Sequence, residues 1–274
     1  MTNCSSRHRS VPLLLIIIAA WLNIAYAAAP PPQVNAEAAV LMVGGTNQVL
    51  FGKKAYGIMY PASTTKIMTL ITALEKGDPN SILTVSPNTA ACDGSSLELN
   101  AGDKLTLRNA ETGMMLVSGN DAAEAIAENV AGSIPAFVDM MNVNAQKIGA
   151  KNTHFSNPHG LPDPYNHYTT AYDLALIASY AMQNPDFVKI VSTREYTVKY
   201  INRGDKLVTN TNKMLKTYPG INGIKTGFTE EAGDCLVVGA KRNGIQLIAV
   251  VLNDDYRWTD AANLLDYGFQ QIGL

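Results

Sequence analysis

Three short groups of residues stand out because their types and spacing could do chemistry together: Ser63-Thr64-Thr65-Lys66, then Ser118-Gly119-Asn120, then Lys225-Thr226-Gly227. A serine hydroxyl is a poor nucleophile until a base takes its proton. A lysine serves as that base only when desolvation or a neighbouring like charge keeps it neutral. Positions i and i+3 share a helix face, so Lys66 can reach the Ser63 hydroxyl, and Pro61-Ala62 just ahead suits a helix start. Lys225 could supply the like charge, and the helix N-terminus places Ser63 where the macrodipole favours developing negative charge. Ser118 could relay the proton to a leaving nitrogen, while the Asn120 amide could hold a substrate carbonyl and orient Lys66. On a strand, Lys225-Thr226-Gly227 offers a cation, a hydroxyl and exposed backbone. Gly227 would let an extended ligand approach closely enough to pair like an added strand, and an anionic peptide end suits that edge.

Each residue also has a plainer reading. Ser63 could merely cap a helix, Asn120 could cap the next, and Lys225 could be a solvated strand lysine. A Ser-x-x-Lys match alone is common by chance, so the order and context of the three groups carry the argument. Other devices are missing: there is no Gly-x-Ser-x-Gly elbow, no His-Glu-x-x-His and no Gly-rich phosphate loop. His154, His159 and His167 share one loop-like region, and His159 is read as fixing that loop by hydrogen bonds. Met114, Met115, Met140 and Met141 read as core filling. No cofactor or metal is implied.

The elements that must position these groups follow from hydrophobic periodicity. Residues 36–43 and 48–51 are apolar runs split by Gly44-Gly45-Thr46-Asn47, which has hairpin-turn chemistry. Apolar residues recur at helical spacing over 63–76, 105–117, 121–130, 134–148 and 170–182. Strands return over 194–199, 223–228, 235–241 and 245–252, the last two joined by Arg242-Asn243-Gly244, and a helix over 258–271 follows. This order predicts an α/β (α+β) fold. Its mainly antiparallel sheet is shared by N- and C-terminal strands and flanked by helices, with a helical insert as second lobe and the site in the cleft between.

Composition narrows the class. The 274 residues are 47% hydrophobic and 16% charged, which excludes disorder, collagen and coiled coil. Lys+Arg total 21 against 23 Asp+Glu, and no basic run extends beyond Arg7 to Arg9, so no nucleic-acid partner is indicated. Cys4, Cys92 and Cys235 are too scattered for a disulfide scaffold or a structural zinc site. Arg7-His8-Arg9, an apolar run over 11–20 and Ala25-Tyr26-Ala27 read as a secretory signal peptide over residues 1–27. A membrane anchor fits less well because Pro12 and Asn23 interrupt the run, which falls short of the roughly 20 apolar residues a spanning helix needs. Cys4 precedes the run, so lipidation is not indicated. Residues 28–34, with Pro30-Pro31-Pro32, read as an extended linker, and 35–274 as one catalytic domain. The mature chain is expected outside the cytoplasm, without a stable membrane anchor.

With these residues in order, the chain resembles the serine-type D-alanyl-D-alanine carboxypeptidases, low-molecular-mass penicillin-binding proteins of the bacterial cell wall. The likeness runs through Tyr60-Pro61-Ala62-Ser63-Thr64-Thr65-Lys66-Ile67-Met68-Thr69, Gly94-Ser95-Ser96, Ser118-Gly119-Asn120-Asp121-Ala122-Ala123, Asn157-Pro158-His159-Gly160-Leu161, Gly223-Ile224-Lys225-Thr226-Gly227-Phe228-Thr229 and Leu264-Leu265-Asp266-Tyr267-Gly268-Phe269. It implies a penicillin-binding/β-lactamase-like transpeptidase fold and an acyl-enzyme on Ser63. The partner would be the D-Ala-D-Ala terminus of a peptidoglycan stem peptide, with β-lactam antibiotics as inhibitors. By position it implies an oxyanion hole from the backbone N–H groups of Ser63 and Phe228, and a carboxylate site at Thr226 and Arg257. Many relatives continue into a β-rich domain and an amphipathic membrane-binding helix, and this sequence stops at Leu274. Cys92 and Cys235 could bridge in an oxidising compartment, although two separate small core residues are the simpler reading. A serine β-lactamase is the nearest rival, yet no Glu here is followed four residues later by Asn. A catalytically silent peptidoglycan-binding protein is the rival of another class, and intact Ser63, Lys66 and Lys225 argue against it.

Overall fold

The computed structural model describes residue 1 and residues 30–274, so all but the first residue of the expected signal peptide lies outside the described residues. β1 (Ala38–Val43) and β2 (Gln48–Lys53) form the expected hairpin. β7 (Ile221–Thr229), β8 (Gly233–Arg242) and β9 (Ile245–Leu252) form an antiparallel meander. β9 pairs antiparallel with β1, so N- and C-terminal strands share one five-stranded sheet in the order β2-β1-β9-β8-β7. β7, which carries Lys225-Thr226-Gly227, is therefore an edge strand.

The central strands read as continuous apolar runs because both of their faces are covered. Val40, Met42, Ile248 and Val250 face a cluster that includes the helical lobe, while Leu41, Leu247, Ala249 and Val251 face Leu264, Leu265 and Phe269. The latter three lie on α9 (Arg257–Gln271). On the other face lie α1 (Lys66–Lys76) and α6 (Ala171–Ala181), the second capped by the Thr170 hydroxyl on the Asp173 N–H.

The insert holds α2 (Pro87–Ala90), α3 (Leu107–Val117), α4 (Asn120–Ala131), α5 (Ile134–Ile148), α7 (Pro185–Val191) and α8 (Met214–Thr217). It also holds two small ladders: β3 (Ile82–Thr84) with β4 (Lys104–Thr106), and β5 (Glu195–Val198) with β6 (Lys206–Thr209).

Four expectations need correction. Residues 105–106 belong to β4, and α3 starts at Leu107 because the Thr106 hydroxyl caps it at Asn109 N–H. The strand expected over 194–199 does not join the main sheet; it pairs locally with β6. Residues 62–65 form a 3-10 turn ahead of α1, so the α-helix begins at Lys66 and not at Ser63. Met140 is only half-buried, whereas Met114, Met115 and Met141 are core residues. Cys92 and Cys235 are both free, the latter buried and the former half-buried. Among the described residues no helix is long and apolar enough to cross a membrane.

Candidate active site

Lys66 Nζ lies 3.0 Å from Ser63 Oγ, 2.7 Å from Asn120 Oδ1 and 2.8 Å from the His159 carbonyl oxygen. A neutral amine has two hydrogens and a lone pair. In that neutral form the two carbonyl-type oxygens would take the hydrogens and the lone pair would face the Ser63 hydroxyl. Lys66 is wholly buried, and burial, followed by the charge of Lys225, holds its pKa well below the usual lysine range. Lys225 is itself buried and drawn down to about 7, first by burial and then by Arg257. Its ammonium donates to the Thr226 carbonyl at 2.9 Å.

The contact to His159 depends on backbone. Ala62 takes a left-handed φ of 46°, and its carbonyl oxygen points so closely at Gly160 that a Cβ there would stand 1.9 Å from it. Gly160, with φ of 97°, is thus the residue that lets the 157–161 loop reach the Ser63 turn. Asn157 Oδ1 accepts from the N–H groups of His159 and Gly160. The His159 ring fixes the loop as read from sequence: Nδ1 accepts the Leu161 N–H at 3.2 Å, so Nε2 carries the proton toward Glu124 at 3.3 Å. Cys92, Glu124 and His159 bring potential ligand atoms within 4.8 Å of one another. A protonated Nε2 makes this a hydrogen-bonded cluster, since a metal-ligating histidine would donate from its other nitrogen. His167 bonds Thr65 Oγ1 at 2.8 Å, and burial pulls its pKa down to about 3, so it stays neutral.

Ser118 ends α3 in the left-handed region, with φ of 63°. Asp121 locks the segment that follows: its carboxylate accepts the N–H groups of Leu97 (2.9 Å), Leu99 (3.0 Å) and Ala122 (2.8 Å), and the Ser96 hydroxyl (2.6 Å). Asn120 Nδ2 donates to the Asp93 carbonyl at 2.7 Å, which turns Oδ1 toward Lys66. The expected orienting role of the amide therefore has a geometric basis.

Ser63, Ser118, Thr226, Gly227, Phe228 and Arg257 line one cleft of about 400 Å³, while Lys66, Asn120 and Lys225 lie buried beside it. Ser118 makes no side-chain hydrogen bond to Lys66 or Lys225. Gly227 plays a different part from the one expected. A Cβ there would stand 3.2 Å from Pro61 O, Ala62 Cβ and Ser63 N, so the missing side chain makes room for the Ser63 turn. The reason is that Cβ atoms leave a strand perpendicular to the sheet and not along its edge. Arg257 Nη1 donates to the Gly227 carbonyl at 2.8 Å and to Asp234 Oδ1 at 2.9 Å, while its Nε is buried without an acceptor.

Sequence reasoning missed the His159 carbonyl, Thr211, Lys213 and Trp258. Thr211 Oγ1 lies 2.8 Å from Thr226 Oγ1, and Lys213 and Arg257 flank the Trp258 ring at 6.0 and 5.1 Å from its centroid. Only the charge of Lys213 carried a signal.

An antiparallel sheet whose free edge faces a serine bonded to a buried lysine, with a helical lobe across the cleft, is the fold of DD-peptidases and penicillin-binding proteins. The D-alanyl-D-alanine carboxypeptidase pattern matches residues 25–256, and the chain belongs to that family. It is 36% identical over 245 residues to the carboxypeptidase DacF of Bacillus subtilis, covering 86% of this chain and 63% of that protein. To a Streptomyces sp. D-alanyl-D-alanine carboxypeptidase it is 36% identical over 258 residues, 87% of this chain and 88% of the relative. Among solved structures, a Mycobacterium tuberculosis D-alanyl-D-alanine carboxypeptidase superimposes with a TM-score of 0.84 at 32% identity, over 89% of this chain and 95% of the other. A mutant Streptomyces DD-transpeptidase does so with a TM-score of 0.82 at 35% identity, over 87% and 99%.

Proposed function

We propose that this chain is a serine-type D-Ala-D-Ala carboxypeptidase that trims the stem peptides of peptidoglycan through an acyl-enzyme on Ser63. The carrying observation is the placement of buried Lys66 Nζ 3.0 Å from Ser63 Oγ, with Asn120 Oδ1 and the His159 carbonyl oxygen as its other two partners. In the first half-reaction Ser63 Oγ attacks the carbonyl carbon of the penultimate D-Ala, and its proton passes to Lys66. The N–H groups of Ser63 and Phe228 stabilise the oxyanion. As the tetrahedral intermediate collapses, the C–N bond breaks and the leaving D-Ala nitrogen takes a proton by way of Ser118. Thr226 and Arg257, beside Lys213, hold the terminal carboxylate. Water then hydrolyses the ester and regenerates Ser63.

Penicillin acylates the same oxygen by opening its β-lactam ring. The segment over residues 1–27 directs the chain across the cytoplasmic membrane, and the remainder acts on the wall face as one catalytic domain over 35–274. The test is D-alanine release from a synthetic peptide ending in Lys-D-Ala-D-Ala. Release is expected from the wild type and is expected to vanish both in Ser63→Ala and after penicillin treatment. Release that survives in Ser63→Ala overturns the reading.

A further inference from the structure

A second cleft, of about 630 Å³, is lined by residues just ahead of the Ser63 turn and just beyond the end of β7. Its lining includes Tyr60, three residues before Ser63, and Glu231, three residues beyond Phe228, so each lies within about 10 Å of the reacting centre along the chain. Tyr165, Tyr168 and Lys151 complete the part that matters here. Direction follows from β7. Thr226, Arg257 and Lys213 make the cationic end of the first cleft, and β7 runs from Thr226 through Phe228 toward Glu231. A peptide whose carboxylate sits at Thr226 leads its preceding residues along the edge and into the second cleft.

Lys151 and Glu231 are both exposed, and neither side chain forms an ion pair or hydrogen bond with another described residue. One unpaired cation and one unpaired anion thus line the same cleft. A side chain ending in an ammonium alone would meet Lys151 as a like charge. One ending in both an ammonium and a carboxylate satisfies both groups.

We propose that this cleft binds the zwitterionic end of a diamino-dicarboxylic residue that precedes the D-Ala-D-Ala pair. The ammonium pairs with Glu231, the carboxylate pairs with Lys151, and the methylene stem lies against Tyr165 and Tyr168. The proposal rests on the function proposed above and names the stem peptide that it acts on.

Three peptides ending in D-Ala-D-Ala test it: one with meso-diaminopimelate before the pair, one with lysine and one with ε-acetyl-lysine. Each is read in two ways, by competition against fluorescent-penicillin labelling of Ser63 and by D-alanine release. Exposed ion pairs act modestly, so the wild type is expected to bind the diaminopimelate peptide about three- to tenfold more tightly than the acetylated one. Glu231→Gln combined with Lys151→Gln is expected to bring that ratio within twofold. Equal competition by all three peptides, or a preference that survives in the double variant, overturns the proposal. Failure to release D-alanine from any peptide sinks the carboxypeptidase reading, while the order of competition still decides the subsite. A chain that takes up no label overturns both.

Discussion

The Cα of Gly227 packs so closely on the Ser63 turn that a methyl group there would stand 3.2 Å from the Ser63 backbone nitrogen. Strand and nucleophile are thereby held at a fixed separation, which sets where the Ser63 N–H points relative to Phe228.

Gly227→Ala is expected to push the turn away by a few tenths of an ångström and leave the fold intact. A misplacement of about 1 Å costs about 100-fold in rate, so this smaller shift is expected to cost about three- to tenfold. The measurement is the rate constant for acylation of Ser63 by benzylpenicillin, with circular dichroism as the check on folding. A rate within twofold of wild type would show that the separation has no bearing on catalysis.

Lys225 should leave its mark on two pH profiles. Its charge lowers the pKa of Lys66, so Lys225→Met is expected to move the acidic limb of the acylation profile to higher pH. Stability should move the other way. With its pKa at about 7 in the folded chain against 10.5 for an ordinary lysine, the unfolded state binds more protons across that interval. The penalty is complete below pH 7 and fades as pH rises to 10.5. Lys225→Met is therefore expected to raise the melting temperature at pH 6, with the gain shrinking toward pH 10. A variant that melts lower than wild type at pH 6 contradicts this.

Glu111 tests the same logic away from the site. Burial pushes its carboxyl up to about 7, despite Arg108 at 3.5 Å. The folded state then holds a proton that the unfolded state has released, so stability falls as pH rises from 4.5 to 7. Glu111→Gln is expected to stabilise by about 3 kcal/mol at pH 8 and to give no gain at pH 4. Thermal melts at the two values decide it.

Asp121 holds three backbone N–H groups, of Leu97, Leu99 and Ala122. Removing a buried acceptor leaves its donors unsatisfied, so Asp121→Ala is expected to cost about 3 kcal/mol in urea unfolding. Penicillin acylation should slow as well, because Asn120 loses its fixed aim at Lys66. Wild-type stability with slow acylation would separate the second role from the first.

Much of this was legible in the sequence because it lay in side-chain type. The apolar runs of β1, β8 and β9 gave the sheet, and Ser63, Lys66, Asn120 and Lys225 gave the chemistry. What stayed hidden belongs to the backbone or to long-range placement. The His159 carbonyl has no sequence signature, since every residue has one. Gly160 was visible as a glycine, but the 1.9 Å approach that requires it belongs to Ala62, nearly a hundred positions away. The strand over 194–199 is read into the main sheet, and its partner β6 is not foreseen, because alternation tells a strand but not its neighbour.

The outer edge of β7, which pairs with no strand among the described residues, also bears on how the protein can fail. Its open row of amides and carbonyls is a template for any extended chain, including the β7 of another copy, and Phe228 stands 62% exposed on it. Self-association by edge pairing would therefore occupy the cleft itself. Loss of penicillin labelling would precede visible turbidity, and a peptide substrate would act as a solubiliser by capping the strand that aggregation needs.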